Sequence, residues 1–158
     1  MKKILSFVLA AMMVTAISTT AFAAELNQGS DPKTQDTKIT TSIAPTYVVT
    51  IPADAKIDFN AASTTLGTVN ATHMQIEPDK KVTVTAAAGK LENQTDTTKT
   101  IEYKLMNGET EFTSMDLIDT EKKADLAIAI AEDDWNTAYA GDYKGTITFT
   151  ISYTNLIK

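Results

Sequence analysis

The stretch Gly141 to Tyr153 (GDYKGTITFTISY) alternates without a fault. Tyr143, Gly145, Ile147, Phe149, Ile151 and Tyr153 fall on one face, and Asp142, Lys144 and four hydroxyl residues fall on the other. A period of two over that length predicts a β-strand. One apolar face and one wet face are what a strand of a half-buried antiparallel sheet presents.

Other segments repeat the pattern. Ile39, Thr41 and Ile43 alternate within Lys38 to Ile43, ahead of a break at Ala44-Pro45, and Tyr47 to Ile51 (YVVTI) is closed by Pro52. Ile57 to Phe59 reads as a short piece, and Leu66 to Ile76 as an irregular strand with Gly67 near its start. The clearest strands are Lys81 to Ala86, Thr100 to Met106 with Ile101, Tyr103 and Leu105, and Asp125 to Ala131 with Leu126, Ile128 and Ile130. Gly89 to Lys99 and Asn107 to Thr113 read as polar loops, the second with an Asn-Gly turn signal. A helical turn is expected at Asp133 to Ala138. Connections this short leave no room for parallel crossovers. The expected fold is all-β, an antiparallel immunoglobulin-like β-sandwich of about seven to nine strands.

The start of the chain reads as an export signal. Lys2 and Lys3 form a positive n-region, Ile4 to Ile17 a mostly apolar h-region, and Ala21-Phe22-Ala23 a small-x-small cleavage site. A membrane anchor needs about 18 consecutive apolar residues, whereas Thr15, Ser18, Thr19 and Thr20 interrupt this run. The expected organisation is a signal peptide at 1–23, a flexible N-terminal arm at 24–36 and a β-sandwich domain at 37–158. Near the C-terminus there is neither an LPxTG-like motif nor a hydrophobic tail, so a secreted, extracellular or cell-surface protein without a transmembrane anchor in its mature form is expected.

Composition removes several functions. Formal charge is -6, and loss of Lys2 and Lys3 takes it to about -8. There is no arginine, and a nucleic-acid binder wants a basic face with guanidinium forks. There is no cysteine, which removes disulfides, thiolate chemistry and cysteine-held metal.

Candidate sites are few. His73 has no metal ligand set or triad among its neighbours. The acidic residues Glu132, Asp133, Asp134 and Asp142 bracket Trp135 and Tyr139, but the spacing and glycine of a calcium loop are missing. Glu109 and Glu111 would share a strand face, in a polar surrounding unlike a glycosidase cleft. No GxSxG elbow, P-loop, HExxH or dinucleotide glycine pattern occurs. Lys81 and Lys104 adjoin apolar strands, yet alternation sends both to the wet face, away from the burial that an internal isopeptide bond needs. No catalytic, cofactor-binding or metal-ligating residue is expected, and the chain is not expected to be an enzyme. Two candidates remain: aromatic stacking on a glycan by Trp135, Tyr139 and Tyr143, and strand donation by the β-prone segment carrying Lys38, Ile39, Thr41 and Ile43.

Thr37 to Phe59 (TKITTSIAPTYVVTIPADAKIDF), with AGDYKGTITFTISY at Ala140 to Tyr153, resembles small secreted β-sandwich surface proteins of Gram-positive gut bacteria. The closing strand also resembles the C-terminal strand of fimbrial subunits and WxL-type domains, although Trp135 is followed by Asn136-Thr137 and no cysteine pair exists. The resemblance implies a surface or matrix protein with a sandwich domain that serves adhesion or fibre assembly. Its partners would be copies of itself, or a cell-surface or extracellular glycan or protein. If Lys38 to Ile43 instead pairs within its own sheet, the module is monomeric.

Overall fold

The structure is a computed structural model that describes residues 26–31, 33–34 and 36–156. The expected signal peptide lies outside the described residues. The chain divides into two units between Thr41 and Ser42.

In the first unit, the described residues carry no helix or strand. Asn27 makes a small turn: its side-chain oxygen accepts from Gly29 N–H at 2.9 Å and its carbonyl from Ser30 N–H at 3.1 Å. No strand forms at Lys38 to Ile43, where one is expected. Ile39 is 91% exposed and, in the second unit, Ile43 is 67% exposed. Pro45 accounts for part of this. It has no N–H and stands just before the first strand, so a ladder cannot run back through it.

Among the described residues, the second unit holds ten strands: β1 (Thr46–Thr50), β2 (Ser63–Gln75), β3 (Lys80–Thr85), β4 (Gly89–Asn93), β5 (Thr100–Asn107), β6 (Thr110–Glu111), β7 (Ser114–Leu117), β8 (Lys123–Ala129), β9 (Tyr143–Lys144) and β10 (Thr150–Asn155). One short helix, α1 (Glu132–Thr137), falls where a helical turn is expected. Every pairing is antiparallel. A seven-stranded sheet has the order β1-β2-β8-β5-β4-β9, with β6 on β5, and a three-stranded sheet has the order β10-β3-β7. The all-β, two-sheet architecture agrees with the alternation. The excess over seven to nine strands comes from the two-residue pieces β6 and β9.

Three segments depart from expectation. Ile57 to Phe59 carries no strand, and β4 occupies part of the supposed loop Gly89 to Lys99. The closing stretch is not one strand: β9 pairs with β4 in the large sheet, 145–149 carries no ladder, and β10 pairs with β3 in the small one. The chain therefore changes sheets at 145–149.

Between the sheets, alternation places Val69 and Ala71 of β2, Val82 and Val84 of β3, Leu105 of β5, Leu117 of β7, and Ala124 and Leu126 of β8 in one apolar cluster. A fully buried Leu or Val of this kind contributes about 1.5–3 kcal/mol. A second cluster, Ile101 and Tyr103 of β5 with Ile128 and Ile130, lies further along the large sheet. β2 bends as it approaches this second cluster. Its register on β8 slips between Thr65 and Gly67, where Gly67 has φ +141° and Pro52 packs against the space a Cβ would take.

Candidate functional site

The large sheet extends past the small one, and this mismatch makes the site. The ladder of β3 with β10 ends at the Thr85–Thr150 pair, so no strand of the small sheet covers Ile101, Tyr103, Ile128 and Ile130. Three irregular pieces cover them instead: Ile57 from the β1–β2 connection, Trp135 and Ala138 from α1 and its end, and Ile147 from 145–149. A cleft of about 1200 Å³ runs among these pieces. Its floor is Leu66, Leu91, Ile101, Tyr103 and Ile128; residues 51–57 with Phe59 form one wall, and 138–147 with Phe149 the other. The volume exceeds the roughly 300–1,000 Å³ of a small-molecule pocket. Burial among these groups raises the pKa of Tyr103.

All three predicted ligand-binding aromatics line the cleft. Trp135 is half-buried; its indole N–H donates to the Ala61 carbonyl at 3.1 Å, and its ring meets Phe59 edge-on with centroids 5.6 Å apart. The Tyr143 hydroxyl donates to the Tyr139 carbonyl at 2.9 Å. Tyr139 is 62% exposed and has Lys99 Nζ 4.8 Å from its ring centroid. The polar groups of Trp135 and Tyr143 are thus engaged within the protein, and Lys99 sits over the Tyr139 ring.

The strand-donor residues are placed elsewhere. Lys38, Ile39 and Thr41 belong to the first unit, and Ile43 to the second. Ile43 lines a notch of about 170 Å³ with Ala44, Pro45, Gln75, Ile76 and Glu77. Thr46 pairs with Gln75, whereas the cleft floor begins at Leu66 near the other end of β2. Notch and cleft therefore occupy opposite ends of that strand. Beside the notch, the Tyr47 and Tyr153 rings meet tilted by 35° with centroids 5.8 Å apart, and the Tyr153 hydroxyl donates to the Glu77 carboxylate.

The remaining candidates are surface groups. His73 Nε2 lies 2.9 Å from Thr46 Oγ1. Lys81 is on the outer face, as alternation requires, and its Nζ donates to Asp116 Oδ2 at 2.9 Å. The Thr83 hydroxyl also donates to Asp116, and Thr83 and Lys81 together hold that carboxyl below its usual range. A carboxyl kept ionised is a poor acyl donor for an isopeptide bond. Glu109 and Glu111 are exposed about the β5–β6 hairpin, and among the described residues no three His, Asp or Glu side chains gather as a metal site requires.

Sequence reasoning missed Asn93, only 3% exposed at the end of β4. Its Oδ1 accepts from Thr95 N–H at 2.9 Å and Asp96 N–H at 3.2 Å, and its Nδ2 donates to the Ala140 carbonyl at 3.4 Å. Asn93 ties the β4–β5 loop to the cleft wall that contains Ala140. It also missed Leu91, the single apolar residue of β4, which no alternation could reveal.

No protein-family model matches this chain, and no curated protein matches it. Among solved structures, the chain is similar to one from work on a chaperone–tip adhesin complex vital for CFA/I fimbriae biogenesis, with 12% identity and a TM-score of 0.43. The similarity covers 68% of this chain and 42% of that one, so this chain spans less than half of its length. A likeness at that level carries no argument about function.

Proposed function

We propose that this chain is a secreted, non-enzymatic surface or matrix module that works by docking protein, in adhesion or in fibre assembly. The observation that carries the reading is the cleft wall at 145–149, a strand-like segment with no ladder of its own beside a largely apolar floor. Backbone groups without a ladder next to an apolar trough suit an extended peptide: its main chain bonds the segment while alternate side chains enter the trough. Export follows from the N-terminal pattern, and the acidic, arginine-free surface suits an extracellular protein better than a nucleic-acid binder.

A second reading, glycan binding, is favoured by the convergence of Trp135, Tyr139 and Tyr143 on the same cleft. It needs exposed ring faces and free hydrogen-bonding groups. Trp135 and Tyr143 spend theirs on Ala61 and Tyr139, so the first reading is preferred.

The test is static light scattering of the full chain from a secreting host, beside Thr146→Pro. Thr146 is exposed and outside every ladder, so proline there removes a donor that only an incoming strand would use. Concentration-dependent association that weakens at least tenfold in Thr146→Pro supports docking. Equal association of both chains, or a response to a glycan panel alone, overturns it.

A further inference from the structure

We propose that the strand entering the cleft is the segment Thr37 to Ile43 of a second copy of this chain, and that the fold forces the exchange to run head to tail. The inference rests on the docking reading and adds the identity of the partner and the direction of assembly.

The donor has the pattern the cleft requires. Ile39, Thr41 and Ile43 share one face of an extended segment, and Lys38, Thr40 and Ser42 share the other. The apolar face matches a floor of Leu66, Leu91, Ile101 and Ile128, and the polar face suits solvent. Ile39 is almost wholly exposed and carries no ladder, so exchange removes no strand pairing from the donor. Pro45 separates donor from β1, because without an N–H it stops the two from merging into one ladder.

Self-insertion is opposed by reach. Ile43 sits in the notch beside Gln75, whereas the cleft floor begins at Leu66, nine residues back along β2. At about 3.3 Å per residue these points are ~30 Å apart. Only Ala44 and Pro45 lie between Ile43 and Thr46, three residue steps with a reach of about 10 Å. Carrying Ile43 into its own cleft would strip β1 from β2 across all five ladder pairs. A neighbouring copy meets no such restraint. Donor and acceptor therefore leave from opposite ends of the unit Ser42–Lys158, and such a heterologous contact does not close on itself. Repeated, it builds an open filament.

The chain has no cysteine, so engineered pairs report the contact without background. Thr40, Thr146 and Thr148 are exposed and lie on the wet faces of donor and acceptor segments. Thr40→Cys/Thr146→Cys and Thr40→Cys/Thr148→Cys would be oxidised mildly as full chains and run on denaturing gels with and without reductant. Circular dichroism would check that each remains β-rich. The expected result is a reducible ladder of dimer, trimer and higher species from at least one double variant, and only heterodimer when the matching single variants are mixed. A reducible cross-link confined to monomer overturns the intermolecular assignment. Association by light scattering with no ladder from either pair overturns the arm as donor while leaving the docking reading standing. Absence of both association and ladder overturns the two together.

Discussion

A Cβ on Gly145 would stand 2.7 Å from the carbonyl oxygen of Lys90, closer than any side chain is accommodated. The cleft wall crosses from the large sheet to the small one at this residue, and the crossing is possible because Gly145 lies against the β4 backbone with no side chain between them. The contact also explains why the closing stretch is not one strand. Chain held this close to β4 at Gly145 and paired with β3 from Thr150 onward cannot keep a single ladder.

Gly145→Ala should therefore destabilise the fold by about 1–3 kcal/mol, the usual cost of forcing a methyl group into packed surroundings. The opposing atom is backbone oxygen and cannot swing aside. Urea unfolding of the variant beside the parent chain measures this, and a difference below about 0.5 kcal/mol would contradict the close approach.

Trp135→Ala should cost about 2–4 kcal/mol, because the ring packs on the second cluster, meets Phe59 edge-on and donates to Ala61. The glycan reading predicts the opposite pattern, an intact fold with lost sugar binding. Thermal unfolding together with a glycan array separates the two.

Asn93→Ala should destabilise by about 1–3 kcal/mol, since it removes three hydrogen bonds made by a buried side chain, two from the Thr95 and Asp96 amides and one to the Ala140 carbonyl. Amide exchange should quicken in the β4–β5 loop and around Ala140, which Asn93 joins, and leave β3 and β7 unchanged.

Acid should weaken the fold through carboxylates on the sheet faces. The Thr83 hydroxyl and Lys81 depress the Asp116 pKa, and the Thr68 hydroxyl and Lys123 depress that of Asp125. A carboxyl whose folded pKa lies below its unfolded value, about 3.9 for Asp, contributes stability above that value and loses it as pH falls through the folded pKa. Melting temperature should hold from pH 7 to about pH 4 as far as these groups are concerned and fall below. Asp116→Asn should narrow the difference between pH 6 and pH 3, and an unchanged difference would contradict the pairing with Lys81 and Thr83.

Alternation was a sound guide where a strand buries a regular apolar face. Leu126 and Ile128 of β8 and Ile101, Tyr103 and Leu105 of β5 lie in central strands, where one buried face fixes the pattern. It failed where a partner was missing or backbone contacts decided the outcome. Lys38 to Ile43 alternates as well as any strand, yet a ladder needs a neighbour and Pro45 interrupts the approach. Gly145 sat on the apolar face of the closing stretch, a gap in the pattern that marked the sheet change. β4 has one apolar residue, Leu91, and was invisible for that reason. The gathering of Trp135, Tyr139 and Tyr143 was legible from their closeness in sequence. The role of Trp135 was not, because it depends on Ala61, which is remote in the chain and contributes only a carbonyl.

An acceptor role for 145–149 makes its backbone protection depend on association. Amide hydrogen exchange of the full chain, read by mass spectrometry at low and high protein concentration, measures that dependence. Exchange across 145–149 should be fast in the dilute chain and slow as copies associate, with protection appearing at Lys38 to Ile43 over the same concentration range. Slow exchange at 145–149 in the dilute chain, or association that leaves its exchange unchanged, would contradict it.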